Sequence, residues 1–518
     1  MSDDAIAGPG DAADDPSGSA CHPAGTAGDP AGGPGETADV PAGDVVFVRE
    51  GVYHDSVTLM RVSGALSELP GVEVAIVAMA TELNLALARD LGFDLPPANP
   101  GALLVALRGP GTATAVHELD RRLVALSSVR AARAADQPPL TTRSAARSPA
   151  DLVLVSVPGE YAFAEALDAV QAGLDVMIFS DGVPVARERL LKELAGERGV
   201  LVMGPDCGTA VIGGVGLGFA NVLRPGPVGL VAASGTGAQQ VCCLLDLAGV
   251  GVSHVLGVGG RDLSVEIGAL STLRALRMLD DEPGTELIVL ISKPPAPEVA
   301  RAVREAVDGL RTPVVTALLG DGEDLTAAAE AALRALGRPV PPWPCWDGAG
   351  MLPAPEPAPS VPATETGTST ATRTRTGTEA GTEAGAAALV GVYSGGTLCA
   401  EAALIAGRGA FTDYGDDAYT RGRAHPMIDP TLRLEALRRV RPGDVVLMDV
   451  VLGHGADPDP AATLAPAVAA CPATVVVALV GTEADPQDLR RQAAAFRQAG
   501  ATVFVSNAQA ARHAKNLW

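Results

Sequence analysis

The sequence predicts an α/β fold built on parallel sheets, with a Rossmann-like N-terminal region followed by two flavodoxin-like domains. Short β-branched runs alternate with helical stretches along most of the 518 residues. The predicted strands are continuous apolar runs without polar alternation, as in parallel sheets that helices cover on both faces. Because only 3% of the residues are aromatic, we expect cores of Val, Leu, Ile and Ala.

The order of the predicted elements supports this fold class. From residue 44 the alternation reads β-α-β-α-β-α, beginning with the strand DVVFV and ending with the helix ATAVHELDRRLVAL. It resumes at Asp151 with DLVLVSV and again at Val228 with VGLVAAS. A weak internal repeat links VGLVAASGTGAQ at Val228 with VGVYSGGTLCAE at Val390, and two related flavodoxin-like domains explain it.

Composition then divides the chain. Two segments rich in Gly, Ala and Pro lack apolar periodicity and are predicted to be disordered. The predicted boundaries are a disordered tail 1–43, an N-terminal α/β domain 44–147, a Rossmann-like region 148–225, a first flavodoxin-like domain 226–340, a disordered linker 341–386 and a second flavodoxin-like domain 387–518.

Charge and cysteine content narrow the function class. The net charge of −23 and the lack of a basic patch argue against binding to nucleic acid or to an anionic membrane, and no apolar run is long enough to span a bilayer. The acidic start lacks a secretion signal, so we expect a cytoplasmic protein. Seven scattered cysteines without a C-x-x-C pair are read as reduced thiols, and we predict no metal site.

Two glycine turns are candidate anion sites. Ser234-Gly235-Thr236-Gly237 comes directly after an apolar strand and directly before a helix, and Ser394-Gly395-Gly396-Thr397 repeats that placement. Backbone N–H groups and the helix dipole at such a turn can hold a phosphate or a carboxylate. Ordinary strand-to-helix turns with a Ser or Thr N-cap are the alternative. The second copy favours two helix N-termini that face one anion.

Three charged residues at predicted strand ends are further candidates. Lys293 follows the strand ELIVLI, where ligands of open α/β sheets bind, and it is an anion-binding candidate or a surface lysine. Arg261 follows VSHVLGV and either clamps an anion or pairs with Asp262. Asp206 lies in the turn Gly204-Pro205-Asp206-Cys207-Gly208, which we expect to line the pocket, with Asp206 bonded to backbone; a nucleophilic Cys207 is the less favoured role.

Two loop histidines are candidate proton carriers. His425 lies in RAHPMIDP and His454 in the loop GHGADPDP, after the strand DVVLMDV. Imidazoles titrate near neutral pH, although a solvated loop histidine would look the same in sequence. The spacing in HGADPD fits no cation site.

The chain also lacks a Walker A loop, a G-x-G-x-x-G fingerprint in its ordered blocks and a G-x-S-x-G elbow, which disfavours P-loop, dehydrogenase and serine hydrolase chemistry.

Long segments carry a family resemblance. Leu152–Gly208 and Val228–Gly320 resemble the alpha subunit of succinyl-CoA synthetase, through EALDAVQAGLDVMIFSDGVP, GVLVMGPDCG and VGLVAASGTG. YHDSVTLMRVSGALSELPGVEVAIVAMAT, MGPDCGTAVIGGVGLGFANV, YSGGTLCAEA and RAHPMIDP extend the likeness to the FdrA family of acyl-CoA-synthetase-like proteins. By that resemblance 148–225 is CoA-binding-like, and 226–340 and 387–518 are ligase-like.

The sequence departs from the synthetase pattern where that enzyme does its ATP-driven chemistry. The phosphohistidine loop of the synthetase is replaced here by Gly320-Asp321-Gly322. Where the synthetase has its glutamate, this chain has SKPP, which contains Lys293. The glycine loop for CoA is replaced by the segment 49–56, and no segment of ATP-grasp size is apparent.

The resemblance implies a function. FdrA-like proteins are associated with an oxamate carbamoyltransferase of allantoin and purine nitrogen breakdown, which moves the carbamoyl group of oxalurate to phosphate with companion subunits. We therefore expect phosphate as a substrate, no required cofactor, and a hetero-oligomer or homo-oligomer. Two alternatives stay open: an acid–thiol ligase, the one case in which CoA would bind, and a non-catalytic scaffold subunit.

Overall fold

We describe a computed structural model of the chain. The structure describes residues 44–51, 54–131, 139–319, 324–347, 350–351 and 387–518. The predicted tail 1–43, the loop Gly320–Gly322 and most of the predicted linker lie outside the described residues. No helix in the described ranges combines the length and the apolar character that a membrane crossing requires.

The N-terminal domain has the predicted β-α-β-α-β-α order but not the predicted parallel sheet. Its elements are β1 (Val45–Arg49), α1 (Ser56–Ser67), β2 (Val74–Met79), α2 (Glu82–Asp90), β3 (Leu103–Arg108) and α3 (Thr112–Ala131). β3 lies between β1 and β2 and is antiparallel to both.

The parallel direction was predicted wrongly because the central strand, β3, is buried on both faces. Side chains of β3 pack into one core with α1 and α3, and into a second core beside α2 on the other face. A strand covered on both faces is apolar throughout whether its neighbours are parallel or antiparallel, so the pattern could not give the strand direction.

The next region is the one predicted at 148–225. Its elements are α4 (Thr142–Ala145), β4 (Leu152–Val155), α5 (Gly159–Gln171), β5 (Asp175–Ile178), α6 (Val185–Arg198), β6 (Val202–Met203), β7 (Thr209–Ile212) and β8 (Val215–Gly218). β4, β5 and β6 form a parallel sheet in that order. β7 and β8 are a hairpin that joins the sheet of the following domain through β10, so the predicted boundary at 225 lies after the structural one.

The first flavodoxin-like domain confirms the predicted parallel architecture. Its elements are β9 (Pro225–Ala232), α7 (Gly235–Leu247), β10 (Val252–Gly257), α8 (Leu270–Asp281), β11 (Leu287–Ser292), α9 (Pro297–Asp308), β12 (Val314–Leu318) and α10 (Leu325–Ala335). The strand order β12-β11-β9-β10 is parallel throughout. The order reverses between β9 and β11, which opens a crevice at their carboxyl ends.

The second flavodoxin-like domain repeats this topology. Its elements are β13 (Cys345–Asp347), β14 (Gly350–Met351), β15 (Leu389–Tyr393), α11 (Gly396–Ala406), β16 (Ala410–Asp413), α12 (Asp417–Thr420), α13 (Thr431–Arg439), β17 (Val445–Val451), α14 (Pro460–Ala469), β18 (Thr474–Val480), α15 (Leu489–Gln498), β19 (Thr502–Phe504) and α16 (Asn507–Leu517). The order is β14-β13-β19-β18-β17-β15-β16, with β15 to β19 parallel.

The start of the predicted linker is ordered, which corrects its boundary at 341. Cys345 and Trp346 pair antiparallel with Phe504 and Val503 of β19. This pairing partner is far away in sequence, so local composition gave no sign of it.

The two flavodoxin-like domains share a hydrophobic core. One buried cluster contains Leu244 and Leu245 of α7, Leu398 of α11 and Ala510 of α16. The backbone of Ala220, which follows the β7–β8 hairpin on the first of these sheets, also pairs with that of His454 in the second domain. These contacts fix the relative positions of α7 and α11.

Candidate functional site

The crevices of the two flavodoxin-like domains face each other. Ser234 follows β9 and Lys293 follows β11, on the two sides of the first switch in strand order. In the second domain, Ser394 follows β15 and Asp449 lies near the carboxyl end of β17, again on the two sides of the switch. Ligands of doubly wound sheets bind at such points.

A hydrogen bond joins the two glycine turns. The Ser234 hydroxyl donates to Oγ1 of Thr397 at 2.6 Å. The same Ser234 oxygen caps α7 by accepting the N–H of Gly237 at 2.9 Å. The N-termini of α7 and α11 therefore meet at one point, and their positive dipole ends converge there.

Glycines allow this close approach. A Cβ atom on Gly395 would lie 2.8 Å from the side chain of Thr236, and one on Gly237 would lie 3.2 Å from Cγ2 of Thr397. The threonine of each turn thus packs on a glycine of the other. The repeated glycine and threonine positions in the two turns serve this reciprocal packing.

The first turn of α7 has amide groups to spare. The N–H groups of Gly235 and Thr236 have no acceptor among the hydrogen bonds of the described residues. The first N–H groups of a helix have no partner within the helix and are satisfied by caps, water or ligands. These two amides can receive an anion in the crevice.

The turn before α11 holds a carboxylate of the protein itself, so the N–H groups of Ser394 and Gly395 are not free for a ligand as predicted, whereas those of Gly396 and Thr397 have no acceptor among the hydrogen bonds of the described residues. The Asp449 carboxylate accepts the N–H of Ser394 at 2.7 Å and that of Gly395 at 2.8 Å, and the Ser394 hydroxyl at 3.0 Å. Buried Arg433 pairs with it at 3.2 Å. An aspartate in a strand that is otherwise apolar was the sequence signal for this contact.

Lys293 and Asp413 flank the start of α11. A Cβ atom on Gly396 would lie 2.5 Å from Oδ2 of Asp413 and 3.6 Å from Nζ of Lys293. Burial, and then the charge of Asp449, raise the pKa of Asp413 to about 6, although the Gly415 N–H and Lys293 lower it. Sequence reasoning missed Asp413, whose only signal was its position at the carboxyl end of β16.

Asp206 lies at the edge of the same crevice. A Cβ atom on Gly260 would be 4.0 Å from Oδ2 of Asp206 and 4.0 Å from the carbonyl oxygen of Ala233, the residue before Ser234. The residue as a whole is exposed, but its carboxyl group is surrounded by protein atoms. This burial, and then the charge of Asp181, raise the pKa of Asp206 to about 6. The predicted bond from its side chain to backbone is not found; the Asp206 N–H donates to Ser180.

Arg261 is held by other groups of the chain, which argues against its predicted role as an anion clamp. Its guanidinium pairs with Glu188 at 2.9 Å and donates to the Val183 carbonyl at 2.8 Å. The predicted alternative partner, Asp262, instead pairs with buried Lys192 at 2.8 Å.

The neighbouring Cys207 is not suited to nucleophilic attack. Its thiol is buried in the hydrophobic core, and that burial raises its pKa to about 12.

The two candidate histidines differ in their burial and in their contacts. The His425 ring packs on Phe219 with centroids 5.4 Å apart, and its Nδ1 accepts the Met427 N–H at 3.3 Å, which leaves Nε2 to carry the proton. A Cβ atom on Gly415 would lie 2.8 Å from Nε2 of His425 and 3.1 Å from Oδ1 of Asp413, so His425 borders the crevice. Burial lowers the pKa of His425 to about 4.

The His454 side chain is exposed, and the described contacts of His454 are backbone bonds to Ala220. Its predicted role as a proton carrier therefore has no support from a contact at the crevice.

The comparisons with known proteins agree with this architecture. The family model of the AllF heavy metal-associated domain matches residues 43–139, and the CoA-ligase model matches residues 392–517. The chain is 35% identical to the Uncharacterized protein YahF of Escherichia coli (strain K12) over 89% of this chain and 96% of that protein. The chain belongs to the FdrA family of acyl-CoA-synthetase-like proteins.

More distant relatives of this FdrA-family chain are ligase subunits. Identity is 30% to the succinate–CoA ligase subunit alpha 2 of Archaeoglobus fulgidus, over 28% of this chain and 50% of that subunit. It is 26% to the malate–CoA ligase subunit alpha of Methylorubrum extorquens, over 30% of this chain and 53% of that subunit. The chain thus spans about half the length of these ligase subunits.

Among solved structures, an acetyl-coenzyme A synthetase of Ca. Korarchaeum cryptofilum with phosphate and ADP matches over 72% of this chain and 83% of that chain, with a TM-score of 0.27 and 14% identity.

The residues of the N-terminal domain do not fit the heavy metal that the name of its family model suggests. Soft metals are bound by thiolates, and the sequence has no cysteine between Cys21 and Cys207. Asp55 in the loop before α1 is the N-cap of that helix and accepts the Thr58 N–H at 2.9 Å. We therefore derive no chemistry from a metal in this domain.

Proposed function

We propose that the crevice between α7 and α11 binds phosphate as a substrate, and that the chain is a subunit of a group-transfer enzyme. The observation that carries this proposal is the 2.6 Å bond between the hydroxyls of Ser234 and Thr397, since it fixes two helix N-termini at one point. The free amides of Gly235 and Thr236 are the phosphate ligands, and Lys293 supplies counter-charge.

The reaction we propose is carbamoyl transfer from oxalurate to phosphate, which gives oxamate and carbamoyl phosphate. A phosphate oxygen attacks the carbamoyl carbon, and the bond from that carbon to the oxamate nitrogen breaks. The proton that the phosphate oxygen loses ends on that nitrogen. The step uses no nucleotide, CoA or phosphohistidine, and this chain has Gly320-Asp321-Gly322 where the synthetase has its histidine loop. Membership of the FdrA family and the AllF domain model support it.

We assign the proton transfer to groups beside the crevice. Asp206 and Asp413 have pKa values of about 6, so each can take up or release a proton near neutral pH. His425 stays neutral and presents its Nε2 proton as a hydrogen-bond donor to the developing oxyanion. Companion subunits complete the enzyme, and we place it in the cytoplasm, where buried thiols such as Cys242 and Cys243 remain reduced.

An acid–thiol ligase is the second candidate function. The CoA-ligase family model and the succinate–CoA and malate–CoA ligase relatives favour it, and they bear more directly on this reaction than on carbamoyl transfer. A CoA thioester formed with ATP would need a phosphate acceptor. The loop where the synthetase has its histidine reads Gly320-Asp321-Gly322 and lies outside the described residues.

The test supplies the full chain and its companion subunits with oxalurate and phosphate, and couples any carbamoyl phosphate to ATP formation through carbamate kinase and ADP. We expect ATP that depends on both substrates and on this chain. A parallel reaction contains CoA, ATP and a carboxylic acid and is assayed for thioester. Thioester formation without carbamoyl phosphate would establish the ligase.

Paired variants separate catalysis from scaffolding. Lys293→Met should abolish most of the transfer activity, whereas Lys515→Met, at a lysine whose Nζ donates to the Ile405 carbonyl, should leave it unchanged. Full activity of both Lys293→Met and Arg261→Ala in the assembled complex would mean that this chain is a scaffold.

A further inference from the structure

A buried carboxylate ties the two flavodoxin-like domains together. Glu401 lies in α11, one turn after Thr397, and is 1% exposed. Its Oε1 accepts the N–H of Leu325, the first residue of α10, at 2.6 Å. Its Oε2 accepts Nδ2 of Asn507, the first residue of α16, at 2.6 Å. One side chain thus connects α11 with a helix of the first domain and a helix of its own domain.

The equivalent position in the first domain carries a neutral amide. Gln240 is the sixth residue of α7, as Glu401 is of α11. The Gln240 side chain accepts the Asn507 N–H at 2.9 Å and donates to the Val505 carbonyl at 3.0 Å. Each helix therefore uses the same position to cap a helix of the opposite domain. A neutral group satisfies this role in one half, so the ionisable group in the other half needs a separate explanation.

The surroundings of Glu401 disfavour its charge. Asp324, the N-cap of α10, is the carboxylate whose charge acts on Glu401, and it is itself paired with Arg512 of α16. Tyr393 of β15 donates to Oδ1 of Asn507 at 3.1 Å. Burial, and then Asp324, raise the pKa of Glu401 to about 7, while the two N–H donors and Arg512 lower it.

We propose that Glu401 is a positioning residue whose protonation state sets how tightly α11 is held against the first domain. When neutral, Glu401 can still accept the Leu325 N–H at Oε1, and it is buried without a net charge. When ionised, it is a buried charge next to Asp324, and separation of the domains lets water reach it.

The direction of the pH dependence follows from the linkage between proton binding at Glu401 and closure of the interface. The folded interface binds the proton more tightly than an opened one, so the closed state is favoured below neutral pH and loses stability as the pH rises through about 7. Because Thr397 and Glu401 share a face of α11, opening there also weakens the bond from Ser234 to Thr397. This inference uses the geometry of the crevice and is independent of the reaction proposed above.

The test is amide hydrogen exchange of the full chain from about pH 5.5 to about 8.5, corrected for the intrinsic pH dependence of exchange. We expect the corrected exchange of the Leu325 and Asn507 amides to rise several-fold as the pH passes through about 7. Glu401→Gln, which copies the amide of the other half, should remove the rise. Glu298→Gln, at an exposed glutamate of α9, should retain it.

A second variant keeps the inference testable if Glu401→Gln does not fold. Asp324→Asn keeps an N-cap residue for α10 and removes the neighbouring negative charge, so the midpoint of the rise should move to lower pH. A flat wild-type profile, a Glu401→Gln profile that still rises, or an unmoved midpoint in Asp324→Asn would overturn the proposal.

Discussion

At the scale of single residues, Asp449 is an internal anion at the turn before α11. Asp449→Ala should destabilise the protein by about 3–5 kcal/mol, because it leaves Arg433 buried without a counter-charge and two backbone N–H groups without an acceptor. Urea unfolding measures this free energy. The double variant with Arg433→Met should lose less than the sum of the two single losses; strict additivity would show that the two side chains do not act as a pair.

Lys293 tunes two carboxyl groups at once. Its positive charge lowers the pKa values of both Asp206 and Asp413, each of which is about 6. Lys293→Met should therefore raise both values further, so that both groups stay protonated to higher pH. Carboxyl ¹³C NMR titration of the full chain measures the shift, with Lys515→Met as the control. Unchanged titration of both aspartates in Lys293→Met would place the lysine away from the crevice.

At the scale of elements, the approach of α7 to α11 depends on glycine. Gly395→Ala places a Cβ atom 2.8 Å from the Thr236 side chain, so we expect the two helix N-termini to separate and the free energy of unfolding to fall by about 1–3 kcal/mol.

Gly196→Ala is the matched control, since Gly196 lies within α6 and a Cβ atom there meets nothing within 4 Å. It should stabilise the protein by about 0.5–1 kcal/mol. Thermal unfolding distinguishes the two variants. Equal stability changes in both would contradict the described contact.

The sequence predicted the helices, strands and turns better than it predicted the contacts between them. The turns at Ser234 and Ser394 and the lysine at Lys293 could be found because ligands of parallel sheets bind at the carboxyl ends of strands, whatever the rest of the fold. The ion pair of Asp449 with Arg433 could not, because the packing of α13 against β15 and β17 chooses the partner. The antiparallel direction of β3 was hidden by burial on both faces.

At the scale of the whole molecule, the two flavodoxin-like domains form a pseudo-symmetric pair that has lost its symmetry at the site. In the first half, the α7 turn keeps the amides of Gly235 and Thr236 available. In the second half, Asp449 accepts the N–H groups of Ser394 and Gly395 before α11, and Asp413 lies beside the start of that helix. In the reaction proposed here, the α7 turn and Lys293 bind the anion, while Asp413 of the second half and Asp206 exchange protons near neutral pH.

The proposed function requires phosphate to bind at the α7 side of this crevice. Equilibrium dialysis of radiolabelled phosphate against the full chain, with its companion subunits present, measures that binding. We predict saturable binding that is weakened roughly tenfold or more by Lys293→Met and also by Gly395→Ala, and is unchanged by Lys515→Met. Saturable binding that none of these variants affects, or no saturable binding at all, would contradict the account.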